Sequence, residues 1–171
     1  WIDDLLCAGA GESWDGLVAD SVQRGLCGIE CMSGIPGTAG GAPVQNIGAY
    51  GQEVSESFES LDAYDLHTTT FRTLDREACQ FSYRESIFNT SDRGRYIVLQ
   101  VKLRLQRKSR PDIRYPELER ELAERRVPLS SDVRQAVLRI RRRKSIVPLY
   151  GLRNSVLPQR MPTWKFNSRV E

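Results

Sequence analysis

The stretch Gly34–Gly51 constrains this chain more than any other. Its 18 positions, GIPGTAGGAPVQNIGAYG, hold six of the 13 glycines and no charged residue. A solvated linker normally carries charge, so this ribbon is expected to pack closely against something. Glycine has no side chain to hold a neighbour away, and its N–H groups can turn toward phosphate or ring heteroatoms. The ribbon is neither a Walker loop nor a G-x-G-x-x-G turn. No Gly-Lys-Ser/Thr follows, which excludes nucleotide hydrolysis of that type. From composition alone, a ligand-binding loop and a tight turn in a packed core both stand.

The flanking sequence predicts the elements that hold such a ribbon. Leu5–Ala8 reads as the end of a strand, closing in the small-residue turn Gly9-Ala10-Gly11. Ser13 then caps a helix carrying Trp14, Leu17, Val18 and Val22 at helical spacing, with Gly25 at its C-terminal end. Leu61–Thr73 predicts two short strands joined near His67-Thr68, and Leu74–Gln80 a short helix. The clearest strand is Arg95–Gln106, where Ile97, Leu99, Val101, Leu103 and Leu105 alternate with other residues and predict one buried face. Pro116 suits a helix start, with Leu118 and Leu122 four apart, and Val127-Pro128 ends that helix. Ser130 or Ser131 is expected to cap the next, with Val133, Ala136, Val137 and Ile140 on one face and Arg134, Arg139, Arg141, Arg142 and Arg143 on the other. Strands followed by helices predict an α+β fold with an antiparallel or mixed sheet.

Charge is divided unevenly. Residues 1–100 hold 6 Lys+Arg against 15 Asp+Glu, and residues 101–171 hold 19 against 7. That asymmetry points to an anionic partner for the second half: nucleic acid, a membrane surface or a phosphorylated small molecule. The run Arg139–Lys144 lacks interleaved aromatics, so a solvated helix face is preferred to a nucleic-acid surface. No apolar run approaches the length of a membrane span, and no signal peptide or membrane partner is expected. Cys7, Cys27, Cys31 and Cys79 have no zinc spacing, so no metal site and no disulfide is expected. His67 reads as an exposed loop histidine. Arg84, in Phe81-Ser82-Tyr83-Arg84-Glu85-Ser86, either holds a carboxylate through two parallel hydrogen bonds or forms a surface ion pair.

Taken in order, four strings are specific together: Gly9-Ala10-Gly11-Glu12, Gly34-Ile35-Pro36-Gly37, Pro43-Val44-Gln45-Asn46-Ile47-Gly48-Ala49-Tyr50-Gly51, and Tyr83-Arg84-Glu85-Ser86-Ile87-Phe88. They resemble the UDP-N-acetylenolpyruvoylglucosamine reductase (UDP-N-acetylmuramate dehydrogenase) family over about residues 5–147. Ile113-Arg114-Tyr115-Pro116-Glu117-Leu118 resembles the tyrosine loop of its longer subtype. The resemblance implies part of a VAO/PCMH-type FAD-binding domain over 1–147. Within it lie a tyrosine-loop insertion at about 107–130 and a basic helix at about 131–144, and a divergent tail follows over 148–171. It also implies a cytoplasmic flavoenzyme of peptidoglycan precursor synthesis, which uses NADPH and FAD to reduce UDP-N-acetylglucosamine enolpyruvate to UDP-N-acetylmuramate.

Carried over residue by residue, the resemblance assigns FAD contacts to Ile35, Pro36, Gly40, Gly41, Val44, Gly48 and Val98. It assigns substrate contacts to Tyr50, Tyr115 and Lys144, and the catalytic arginine to Arg84. No counterpart is expected in this sequence for the family's asparagine-bearing glycine loop, its Gly-Ser-Phe-Phe string or its C-terminal substrate domain. Ser155 lacks the flanks of the proton-donating serine and takes no role. Impaired turnover is therefore expected, and the alternative is a non-catalytic remnant that binds an anionic partner.

Overall fold

Strand β6 (Tyr96–Arg104), the segment with the clearest alternation, is the spine of the molecule. The structure is a computed structural model and describes residues 2–107 and 110–144. The expected tail over 148–171, Ser155 included, lies outside the described residues. β6 pairs antiparallel with β1 (Leu5–Gly9) on one side and β4 (Phe58–Asp65) on the other. β4 turns through Leu66–Thr69 into β5 (Thr70–Asp75). The result is a four-stranded antiparallel sheet in the order β1-β6-β4-β5, and the fold is α+β.

The buried face of β6 differs from the simple alternation. Val101, Leu103 and Leu105 are buried, but Ile97 and Leu99 are 49% and 42% exposed. The register explains this. Asp62 faces Gln100, yet the next residue, Ala63, faces Val98, so Leu99 has no partner on β4. This one-residue bulge turns the first half of the strand over. Val98 and Tyr96 pack against the core in place of Ile97 and Leu99. The carbonyl of Leu99 accepts the N–H of Ala10 at 2.8 Å, which ties the bulge to the turn after β1.

Helix α1 (Trp14–Gln23) forms as expected: the Ser13 hydroxyl accepts from the Gly16 N–H, and Gly25 follows in the left-handed region. Its Trp14 and Val18 are buried with Leu61, Val101, Leu103 and Leu105 in the main core, and Ala39 and Ile47 of the ribbon join them. Two four-residue helices, α2 (Val54–Ser57) and α3 (Arg76–Cys79), flank β4 and β5. A second, smaller core joins α4 (Pro116–Glu121) to α5 (Ser130–Arg143), through Leu118, Leu122, Val133, Ala136, Val137 and Ile140, with Cys31 beneath them.

Two helix expectations need correction. The α5 cap position is Leu129 rather than Ser130 or Ser131; the Asp132 carboxylate accepts the Leu129 N–H at 2.9 Å, which ties the helix entry from inside. The basic face is exposed at Arg139, Arg142, Arg143 and Lys144, as expected, but not at Arg141. Arg134 pairs with Asp15, Arg139 and Arg143 pair with Glu121, Lys144 pairs with Glu117, and Arg141 is buried. All four cysteines are thiols. Burial pushes the Cys79 thiol up to about 12. Among the described residues no group could hold a metal ion, and no helix is long and apolar enough to cross a membrane.

Asp65 closes β4. It is buried and accepts from the Arg95 guanidinium at 2.8 to 3.2 Å and from the His67 and Thr68 N–H groups at 2.9 and 3.4 Å. The guanidinium, aided by those N–H groups, holds its carboxyl well below the usual carboxylate range. A depressed folded-state pKa contributes stability above the unfolded value, near ~4, and that stability is lost as pH falls toward the folded value. Thermal melts from about pH 5 down to about pH 2 should thus show the wild-type midpoint falling more steeply than that of Asp65→Asn. Parallel curves would mean that Asp65 carries none of the acid sensitivity.

Candidate functional site

The glycine ribbon is fastened along its whole length. At its start the Gly34 N–H donates to the Asp15 carboxylate at 2.7 Å, and Arg134 reaches the same carboxylate through two bonds of 2.6 and 3.0 Å. Burial pushes the Asp15 carboxyl up, but Arg134, the Gly34 N–H and the Arg141 charge outweigh it, and the group stays below its ordinary value. In the middle, the Gly40 N–H donates to the Ala10 carbonyl at 2.9 Å, and a Cβ on Gly40 would lie 2.6 Å from that of Ala10. Only glycine permits this approach. Leu99, Ala10 and Gly40 thus lie side by side, and through them the bulge in β6 reaches the ribbon.

The ribbon then turns through Pro43–Gln45 and Asn46 into a small hairpin, β2 (Gly48–Ala49) and β3 (Gln52–Glu53). Its two-residue turn has Tyr50 at φ 48° and Gly51 at φ 84°, the doubly left-handed turn that matches strand twist. Asn46 is 1% exposed and fully used. Its amide NH₂ donates to Glu53 and to the Ser82 carbonyl, and its amide oxygen accepts the Ser55 N–H.

Arg84 sits against this hairpin. Its guanidinium donates to the Asn46 carbonyl at 3.2 Å and to the Gly48 carbonyl at 2.7 Å, with the Glu53 carboxylate at 3.5 Å. Its backbone is left-handed, φ 61°, and Asn89 donates to its carbonyl at 3.1 Å. The side chain is 40% exposed, so the guanidinium is anchored on one side and open on the other. The next turn is also tied to the ribbon, since the Ser86 hydroxyl donates to the Val44 carbonyl at 2.6 Å.

Tyr50, Tyr115 and Lys144 come together at the hairpin tip. The Tyr50 and Tyr115 rings meet edge to face with centroids 5.3 Å apart. Arg114 bonds Glu56 at 3.0 Å, docking the tyrosine segment on α2. Lys144 pairs with Glu117 on the neighbouring α4, and that carboxylate holds its ammonium above the ordinary value. Burial raises the Tyr50 phenol, against the nearby charges of Arg141 and Lys144.

A cavity of about 240 Å³ opens beside the ribbon, lined by Ile35, Gln45, Ile47, Gly48, Arg84 and Arg141; Tyr50, Tyr115 and Lys144 are not among its lining residues. Of the residues expected to touch FAD, Ile35 and Gly48 line it. Val44 is half-buried behind Ser86, Gly40 is buried against Ala10, and Pro36 and Gly41 are exposed along the ribbon. Val98 is set apart, packed on the core side of β6 opposite Ala63. Sequence reasoning missed Arg141, read as part of a solvated face. The signal was available, because Arg141 lies four residues after Val137 and extends its buried stripe.

The sheet, the ribbon and the arginine at its hairpin define an FAD-binding-domain fold, and the family model described as "FAD binding domain" matches residues 2–73. Curated relatives narrow the class. UDP-N-acetylenolpyruvoylglucosamine reductase from Ralstonia nicotianae is 51% identical over 139 residues, covering 80% of this chain and 41% of that protein. The reductase of the same name from Cupriavidus pinatubonensis is 49% identical, covering 82% and 42%. The crystal structure of UDP-N-acetylenolpyruvylglucosamine reductase from Thermus caldophilus superposes with a TM-score of 0.56 at 26% identity, over 80% of this chain and 43% of that one. The chain is similar to the UDP-N-acetylenolpyruvoylglucosamine reductases, the family its motifs resemble, and it spans about two-fifths of the length of the curated relatives it matches.

Gly48 is the residue on which this geometry turns. A Cβ there would lie 2.5 Å from the Gln52 carbonyl oxygen and 2.9 Å from the Arg84 guanidinium. At Gly41 the nearest atom would be an ordinary 3.5 Å away. Urea unfolding should show Gly48→Ala destabilised by ~1–3 kcal/mol, the usual range for overpacking, while Gly41→Ala changes little. Equal stability of the two variants would mean that Gly48 is not sterically required.

Proposed function

We propose that this chain is the FAD-holding part of an NADPH-driven reductase that converts UDP-N-acetylglucosamine enolpyruvate to UDP-N-acetylmuramate, a cytoplasmic step of peptidoglycan precursor synthesis. The observation that carries this reading is the anchoring of Arg84 on the Asn46 and Gly48 carbonyls, at the wall of a cavity bounded by an uncharged ribbon.

The residues present suit FAD. The ribbon offers backbone with no charge, held by close packing at Gly40 on Ala10 and at Gly48 on Gln52 and Arg84. Ile35, Pro36, Gly40, Gly41, Val44 and Gly48 would hold the cofactor, with Val98 contributing from the sheet. Bound FAD supplies hydride transfer from NADPH to the enolpyruvyl double bond.

The protein's own contribution is charge placement. Hydride addition pushes negative charge toward the carboxylate end of the enolpyruvyl group. A guanidinium already fixed by two carbonyls needs no reorganisation to meet that charge, so it stabilises the transition state more than the ground state. Tyr50 and Tyr115 form an aromatic corner at the hairpin tip, suited to close over a UDP-sugar. Lys144 supplies a cation at the same end, for a diphosphate.

The test is titration of the purified chain with FAD, followed by flavin fluorescence and absorbance, and then with the UDP-sugar enolpyruvate. Saturable flavin quenching is expected, with a flavin spectral change on adding the sugar. Arg84→Ala should leave FAD binding in place and weaken sugar binding ~10–100-fold, the worth of a charge-assisted hydrogen bond. Binding of nucleic acid at physiological salt with no binding of FAD or sugar would favour the remnant reading and overturn this one.

A further inference from the structure

Among the described residues, one buried side-chain polar atom has no hydrogen-bond partner: Nε of Arg141. The residue is 7% exposed and lies on the wall of the cavity that Arg84 also lines. Its neighbours on α5 make the contrast plain. Arg134, Arg139, Arg143 and Lys144 each face a carboxylate, and Arg142, which has no ion pair among the described residues, is exposed to solvent rather than buried. Asp15 feels the Arg141 charge but is already held by Arg134 and the Gly34 N–H.

A buried cation without a counter-ion is costly, and fold stability alone would favour an apolar side chain of similar volume at this position. Packing leaves the guanidinium little room. Gly34, in the left-handed region at φ 73°, passes so close that a Cβ would sit 3.2 Å from Nε and 3.0 Å from Leu138. Glycine there admits the arginine to the cavity wall. Two guanidiniums on one small cavity, Arg84 with only a half-exposed acid at 3.5 Å and Arg141 with no ion pair among the described residues, leave a net positive site.

We propose that Arg141 is a second anion-binding guanidinium of this site, and that with Arg84 it clamps the carboxylate of the enolpyruvyl substrate. The proposal rests on the function proposed above. The planar fork of each arginine matches a carboxylate's two oxygens, and the ligand's charge supplies the counter-ion that the fold omits. Arg141 acts in binding and orienting the carboxylate, and no bond is made or broken at it.

The experiment compares wild type, Arg141→Met and Arg141→Lys. Met keeps the volume and removes the charge, so its thermal midpoint should equal or exceed that of wild type. Its affinity for the UDP-sugar enolpyruvate, measured calorimetrically on the FAD-loaded chain, should fall ~10–100-fold, with Lys between the two. Affinity for FAD should be unchanged. Sodium oxalate, a bare dicarboxylate, should raise the wild-type midpoint relative to sodium chloride at matched ionic strength and should fail to do so in Arg141→Met. That last arm does not depend on FAD or sugar, so an oxalate response that requires Arg141 supports the anion site even if wild type binds no UDP-sugar. A loss confined to FAD affinity would assign the guanidinium to the cofactor and overturn the carboxylate clamp. Unchanged affinities and an unchanged oxalate response in Arg141→Met would overturn the proposal outright.

Discussion

The buried amide of Asn46 is the constraint on which the site depends. Three chain segments meet at it: the end of the glycine ribbon, the β3–α2 junction through Glu53 and Ser55, and the Ser82–Arg84 loop. Its own carbonyl is one of the two that hold the Arg84 guanidinium. At 1% exposure none of these bonds has water as a substitute, so the amide is satisfied by this one arrangement of the segments. The left-handed backbone at Asn46, φ 39°, is one that asparagine tolerates better than most residues. Local conformation and long-range bonding therefore ask for the same residue, and the position of Arg84 follows from both.

Much of this was legible in the sequence, for reasons that differ by element. Helix α1 was readable because its cap, its apolar spacing and its terminal glycine are all local signals. The presence of β6 was readable from its period, and the β4–β5 hairpin from two short strand-like stretches on either side of the His67-Thr68 turn. The ribbon's close packing was readable from what it lacks, namely charge. The bulge at Leu99 was not, because a bulge is a property of two paired strands and β6 by itself alternates without a break. The Leu129 cap was hidden because Asp132, inside the helix, does the work that a serine outside it was expected to do. Arg141 was hidden by its own charge, which made an inward-facing residue read as outward.

The uneven charge of the two halves has a partly internal explanation. Acids of the first hundred residues meet bases of the remainder at Asp15–Arg134, Glu56–Arg114, Glu59–Arg104 and Asp62–Lys102. Each joins segments distant in sequence, so the division serves to bring the second half onto the first. Exposed pairs of this kind contribute little stability individually. Opposite net charges on the two halves still favour their docking over like-with-like association.

The extra residue in β6 also governs how this sequence can be recombined. On either side of Leu99 the strand is out of phase with itself, so inward positions are odd-numbered after it and even-numbered before it. A chimera joined inside Ile97–Val101 to a strand without the bulge would invert one half of the strand and detach Ala10 from Leu99. The ribbon, which reaches the sheet through Ala10, would lose its rest along with it. Crossovers placed in the Leu66–Thr69 turn avoid this, because no side chain there has to keep step with the sheet.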